Sequence, residues 1–241
     1  MEKKKIVHQL DTPYSAVSWP SVTLEDQETI LELLCALLAP LGQYRSTYSQ
    51  LSKGKRDRKR KRKAAGTDHM DIPPPPMPEL QSYIDVGLSA VTRSLQEAAS
   101  KGQGGKSNSE DALPSGKPPP PPYSAIFVAR SGQPNALNGH LPQMAAVASN
   151  SHPSQTPIRL IGLSKSCGDR LSESLGIPRV SCIGLREDAP NSKALVEFTR
   201  QHVPTIDIQW LDEAKRAEHI GTNINEIKTS VGSKRVKQRT A

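Results

Sequence analysis

The chain has 241 residues with 21 Pro and 16 Gly, so it can enclose one substantial core while a good share of its length serves as linker. Lys and Arg outnumber Asp and Glu by 32 to 24, and residues 53–63 alone carry nine basic side chains against Asp57, a net +8 equal to that of the whole chain. The first five residues lead into no apolar stretch, and no run approaches the roughly 18 apolar residues of a membrane span, so a soluble, non-secreted protein with no membrane partner is expected.

In chain order, an extended lead containing Trp19 and Pro20 runs into Thr23-Leu24-Glu25-Asp26, a capping box whose acids suit the helix dipole. The helix carries Ile30, Leu31, Leu33, Leu34, Leu37 and Leu38 and is expected to stop at Pro40-Leu41-Gly42. Its apolar surface is too broad to face water, so it must lie on the main domain or on another subunit. The basic run follows. A block this dense does not fold alone, and Lys59, Arg60, Lys61, Arg62 and Lys63 read both as a nuclear localisation signal and as a cluster that displaces counterions from phosphate. Pro73 to Pro76 then form a stiff spacer.

Tyr83, Ile84 and Val86 suggest a short strand that turns at Gly87 into a helix. The alternative, one helix from Glu79 through Ala98, carries an interior glycine that costs about 1 kcal/mol relative to alanine. Helical spacing places Leu88, Val91, Leu95 and Ala98 on one side and Ser89, Thr92, Arg93 and Gln96 on the other, so one face can be buried while the other meets a partner. Gly87 can adopt φ > 0 and admit a foreign backbone to the first free N–H groups of the helix, which attract phosphate, with Thr92 and Arg93 adding a hydroxyl and a guanidinium. The same pattern also fits an ordinary amphipathic helix with a solvated side. Residues 100–122 are Gly, Ser, Lys and Pro with little hydrophobic content, a disordered insertion. Gly105-Lys106-Ser107 imitates a phosphate-binding loop there, but Ser100 stands where the leading glycine belongs and no strand precedes it.

The second half alternates regularly. Residues 125–129 are a continuous apolar run, as in a strand covered on both faces. A helix over about 136–149, kinked by Pro142, leads to a strand at 158–163 and to a helix with Ser166 and Asp169 as its capping box, ended by Gly176 and Pro178. A strand at 180–185, a helix at 193–202 and a last strand at 206–210 complete the series. The expected fold is α/β, a three-layer α/β/α sandwich with a mixed sheet, interrupted by disordered basic and proline-rich insertions. The expected divisions are an N-terminal extension with one helix at 1–51, a linker at 52–78, the main domain at 79–220 and a basic tail at 221–241.

Catalytic signatures are missing. The six histidines are scattered with no metal-ligand spacing, and there is no nucleophile elbow, no zincin helix and no dinucleotide fingerprint. A non-enzyme without cofactor, metal or small-molecule substrate is therefore expected. Cys35, Cys167 and Cys182 are isolated and read as reduced residues of the interior. Only nine aromatic residues are present, and no strand offers two or three of them on one face, so any RNA contact must rest on backbone, hydroxyls and charge rather than base stacking.

Residues 87–95 resemble the RNA-binding corner of the kink-turn-binding ribosomal-protein superfamily, whose pattern is Gly-x-Asn-Glu-x-x-Lys/Arg opening a helix. The next apolar strand, His140-Leu141-Pro142, Ser164-Lys165 leading to Leu171, and Leu175-Gly176-Ile177-Pro178 follow that superfamily's order. The ends narrow the likeness. Leu10-Asp11-Thr12-Pro13, Trp19-Pro20 and residues 26–30, together with Gln209-Trp210-Leu211 and residues 227–231 before a basic tail, are similar to the fungal protein subunit of RNase P and RNase MRP, the third POP-type subunit. The resemblance implies a non-catalytic, nuclear and nucleolar subunit bound to RNase P RNA and RNase MRP RNA and to other protein subunits of those particles. It supports cleavage of precursor tRNA leaders and of precursor rRNA by the RNA itself. The first helix is the candidate for contact with neighbouring subunits.

The resemblance places the RNA contacts at Gly87, Ser89, Thr92 and Arg93, at Lys165, and at Ile177 and Arg179 in a second loop. Where the superfamily has Asn-Glu this chain has Ser89-Ala90, so the carboxylate that would read a guanine edge is missing. Lys165 equally fits a solvated turn, and Pro178 equally fits a helix stop. Two other functions remain open on sequence alone: a generic kink-turn protein of ribosomal or small nucleolar particles, and a nuclear adaptor offering its proline runs to aromatic-lined domains.

Overall fold

A computed structural model describes residues 4–11, 17–48, 75–102, 120–152, 154–208, 210–211, 213, 216 and 221–230. Two compact units divide the chain, one of them Ser18–Asp207 and the other made of Met1–Val17 with Ile208–Ala241. The proposed import signal at residues 59–63, Pro73 and Pro74, most of the proline- and glycine-rich insertion (103–119) and the basic end (231–241) lie outside the described residues.

In the larger unit, Thr23 caps α1 (Leu24–Tyr48): its Oγ1 accepts the Asp26 N–H at 3.1 Å and donates to Asp26 Oδ2 at 2.7 Å, so the carboxylate meets the hydroxyl rather than the Thr23 N–H that a full capping box would engage. Pro40 does not end this helix, contrary to the expectation from Pro40-Leu41-Gly42. Proline costs one backbone hydrogen bond, and burial of Leu37, Leu38 and Leu41 in the core outweighs that loss. Gly42 serves packing rather than termination. A Cβ there would stand 2.0 Å from the Ser174 carbonyl oxygen, so only glycine lets α1 cross α5 (Lys165–Leu175) this closely. The apolar face of α1 is thus covered within the larger unit, against α5 and α6 (Lys193–His202), which is one of the two placements its breadth allowed.

After a 3₁₀ turn at Glu79–Tyr83 come β2 (Ile84–Val86), α2 (Leu88–Gly102), β3 (Tyr123–Ala129), α3 (Asn135–Asn138), α4 (Leu141–Asn150), β4 (Arg159–Leu163), α5, β5 (Cys182–Arg186) and α6 (Lys193–His202). The strands form one mixed sheet in the order β2-β5-β3-β4, with β3 and β4 parallel and β5 antiparallel to both β2 and β3. Alternation along β3 divides the interior. Ala125 and Phe127 join a cluster with α1, α5 and α6, while Ile126 and Val128 join another with Val91 and Leu95 of α2 and Leu141 and Ala145 of α4. Helices therefore cover both faces of the sheet, and the fold is α/β.

Three local expectations change. The single kinked helix is two, α3 and α4, and Pro142 sits in the first turn of α4, where its missing N–H is no loss. The capping box at Ser166 and Asp169 is not formed: Ser164 is the N-cap of α5, and its Oγ lies 3.0 Å from both Ser166 Oγ and Cys167 Sγ. Residues 206–208 have no ladder partner among the described residues. Ile206 is satisfied by lying against the α2/α4 cluster, and Trp210 and Leu211 are helical.

The smaller unit holds a two-stranded antiparallel ribbon of β1 (Lys4–Asp11) and β6 (Asn223–Ser230). Its register pairs Val7 with Ile227 and Leu10 with Ile224, and His8 faces Glu226 at 3.7 Å. Part of the expected basic tail is therefore a strand.

Candidate nucleic-acid interface

The register brings four strand ends to one edge of the sheet. Val86 pairs with Ile183, Ala129 pairs with Leu163, and the Ala129 N–H donates to the Ser181 carbonyl at 3.0 Å. Everything that follows β2, β3 and β4, and everything that precedes β5, is consequently at the same end. Gly87, the turn at Arg130–Gly132, Lys165 and the segment leading to Ser181 occupy those four positions.

At Gly87 the backbone turns with φ +105°, a value that L side chains avoid, and the Gly87 N–H donates to the Cys182 carbonyl at 2.8 Å, anchoring the turn on β5. A Cβ at Gly87 would meet no atom within 4 Å, so the conformation rather than crowding demands glycine and the space beside it is open. The Val91 N–H closes the first turn of α2 on the Gly87 carbonyl at 3.2 Å. The N–H groups of Leu88, Ser89 and Ala90 meet no acceptor among the described residues, and they carry the positive end of the helix dipole. The faces of α2 separate as the spacing demands: Val91 and Leu95 are buried, Ser89, Arg93 and Gln96 are exposed, and Thr92 is half-buried. Arg93 stands about 9 Å along the helix from Gly87, six residues at ~1.5 Å each.

Lys165 is exposed in the first turn of α5, directly after β4. Arg179 is exposed two residues before Ser181, on a segment fixed by the left-handed Gly176 cap (φ 64°) at one end and by the Val180 N–H on Ser172 Oγ (3.1 Å) at the other. Ile177 is set back from the edge: its N–H bonds the Ser172 carbonyl and its side chain is half-buried against the α1/α5/α6 cluster. The edge also carries Arg130, which sequence reasoning missed. Its only signal there is position, a basic residue immediately after the apolar strand. Among the described residues, the ion pairs engage neither Arg93 nor Arg130, Lys165 or Arg179.

A family model for RNase P subunit Pop3 matches residues 72–213, more than half of the chain. The chain belongs to that family. No curated protein is similar enough to count as a match. The Pop3 family is one of RNase P protein subunits, components of a ribonucleoprotein of tRNA processing in which RNA carries the catalysis. The matched span takes in the Gly87 corner, the whole four-stranded sheet and α6, and it begins after α1.

At the opposite end of the sheet of this Pop3-family chain the chemistry reverses. Arg186 ends β5 with a side chain only 8% exposed, and its Nη2 donates to Asp85 Oδ2 at 2.5 Å and to Ser94 Oγ at 3.2 Å. Its Nη1 donates to the Pro121 carbonyl at 2.7 Å, its guanidinium covers the Tyr123 ring at 4.8 Å, and Tyr123 Oη donates to the same Asp85 carboxylate. Burial first, and then the bond to Asp85, push the Tyr123 phenol far above its ordinary value. Burial likewise pushes the Cys182 thiol up to about 12, which leaves it a neutral packing group. Among the described residues no cluster of His, Cys, Asp and Glu could hold a metal ion, and no helix is long and apolar enough to cross a membrane.

Proposed function

We propose that the chain is a non-catalytic, RNA-binding subunit shared by RNase P and RNase MRP, docking on a structured element of their RNAs through the strand-end edge. Gly87 and the free N–H groups of α2 receive the RNA backbone, Ser89 and Thr92 add hydroxyl contacts, and Arg93 reaches phosphate or a base edge. Lys165 and Arg179 hold further phosphates, with Ile177 supporting the second loop from behind. In this role the chain assists maturation of precursor tRNA 5′ ends and processing of precursor rRNA in the nucleus and nucleolus, alongside other protein subunits. Residues 59–63 direct import and add nonspecific affinity.

The observation that carries this reading is the gathering, among the described residues, of an open glycine turn, an uncapped helix start and exposed unpaired cations at one edge of a sheet whose opposite end holds a buried arginine paired with Asp85. Because Ser89-Ala90 offers no carboxylate, selectivity rests on RNA shape and on the rest of the particle rather than on guanine readout. Precipitating the full-length protein from nuclear extract and sequencing the RNA is the test. Enrichment of RNase P and RNase MRP RNAs is expected, and recovery of other RNAs without them would overturn the reading.

A further inference from the structure

The ends of the four strands span about 14 Å, three interstrand spacings of ~4.8 Å, and the Gly87 corner occupies only the β2 end. Two strands over, about 10 Å from the β2 end, the turn that follows β3 lies against the start of α5, where a Cβ on Gly168 would meet the Ala129 Cβ at 3.4 Å. Arg130 opens that turn. It is exposed, yet its side chain is held: the guanidinium carbon lies 5.1 Å from the Trp19 ring centroid. Its stem covers Gly162, where a Cβ would meet Arg130 Cδ and Trp19 Cε3 each at 3.5 Å. Gly162 is on the face of β4 that Leu160 presents to the α2/α4 cluster, so Arg130 lies on the same side of the sheet as α2.

An arginine with a structural role uses its N–H groups on protein acceptors, as Arg186 does. Among the described residues Arg130 has neither a hydrogen-bond acceptor nor a carboxylate. The contact with Trp19 is one of the cation with the ring, which occupies no N–H group and leaves the fork of donors for a planar or tetrahedral oxyanion. That contact, with the stem lying over Gly162, also restricts a rotamer-rich side chain before any ligand arrives, which lowers the ordering cost of binding.

We propose that Arg130 is a second phosphate anchor of the RNA-binding edge and that Trp19 is its positioning residue. The RNA backbone received at Gly87 crosses the strand ends and meets the Arg130 fork on the β3–β4 side. This rests on the RNA-docking reading above and extends it to residues on the N-terminal segment and on the turn after β3.

The test is the affinity of the full-length protein for transcribed RNase P RNA over a series of salt concentrations. Arg130→Gln is expected to weaken binding about tenfold, the scale of one charge-assisted hydrogen-bonded contact, and to flatten the slope of log affinity against log salt by about 0.7–0.9. Arg130→Lys should keep the slope and recover part of the affinity. Trp19→Leu should weaken binding by a few-fold, and that loss should vanish in the Arg130→Gln background. Thermal unfolding of each variant serves as the control for folding. Wild-type affinity and slope in Arg130→Gln, while Arg93→Gln loses both, would overturn the second anchor and leave the docking edge standing. An unchanged Arg93→Gln as well would overturn the docking edge itself. A Trp19→Leu loss that persists in full without Arg130 would overturn the positioning role.

Discussion

The two ends of the four-stranded sheet use the same residue type for opposite purposes. At one end Arg186 is buried among Asp85, Tyr123, Ser94 and the Pro121 carbonyl, so three of its donors are used and its charge is neutralised within the fold. At the other, Arg93, Arg130, Lys165 and Arg179 have no carboxylate among the described residues, beside a glycine turn with open space and a helix start without acceptors. The difference separates cations that hold the chain together from cations kept for something outside it. Loss of the first kind should be read in stability, loss of the second in binding.

Asp85→Ala should have the largest effect, because it strands a buried guanidinium, and breaking a buried pair in this way costs about 3–5 kcal/mol. Urea unfolding should show this loss, while RNA affinity below the unfolding transition stays near wild type. Loss of affinity without loss of stability would blur the two ends. High pH should act on the same end. The folded state holds Tyr123 neutral above the ordinary value, so its contribution is complete below the unfolded tyrosine pKa of about 10 and is lost as pH rises beyond it. The same sign holds for Cys182, whose contribution is complete below the unfolded thiol value of ~8.5 and is lost as pH climbs toward its folded value of about 12. Urea titrations at rising pH should therefore give a declining stability, less steep in Tyr123→Phe and in Cys182→Ala. An unchanged decline in both variants would contradict the assignment.

Gly87→Ala falls between the two classes. The positive φ makes it destabilising by about 1–2 kcal/mol, and the added methyl also stands in the space left for RNA, so both stability and affinity should drop. The smallest stability effects belong to the open edge. Arg93→Gln, Lys165→Gln and Arg179→Gln should each move stability by less than ~0.5 kcal/mol while each lowers the salt slope of RNA binding by about one contact. Stability losses of the Asp85→Ala size in these three would erase the contrast.

Much of the larger unit is legible in the residues because its signals are local. The Thr23 cap, the break at Gly87, the apolar run of β3, the left-handed Gly176 and the bounds of α6 each follow from neighbours within a few positions. What is hidden depends on residues distant in sequence. Pro40 and Gly42 read as a stop because their reason lies across the core at Ser174, and β1 and β6 find each other across more than 200 residues with only short, half-polar alternation in each. The candidate interface divides in the same way. The Gly87 corner is written in one helical repeat, and Lys165 and Arg179 arrive beside it only through the strand register. Arg130 escapes notice because its distinguishing neighbour, Trp19, is a hundred residues away.

Ultraviolet cross-linking of the protein to RNA in the intact RNase P particle, followed by peptide mapping, tests most directly whether this edge is the docking surface. Cross-links should map to the peptides carrying residues 87–93 and 177–181 and to that carrying Arg130. Cross-links confined to the peptides of the basic run at residues 53–63, with the edge unmarked, would contradict it.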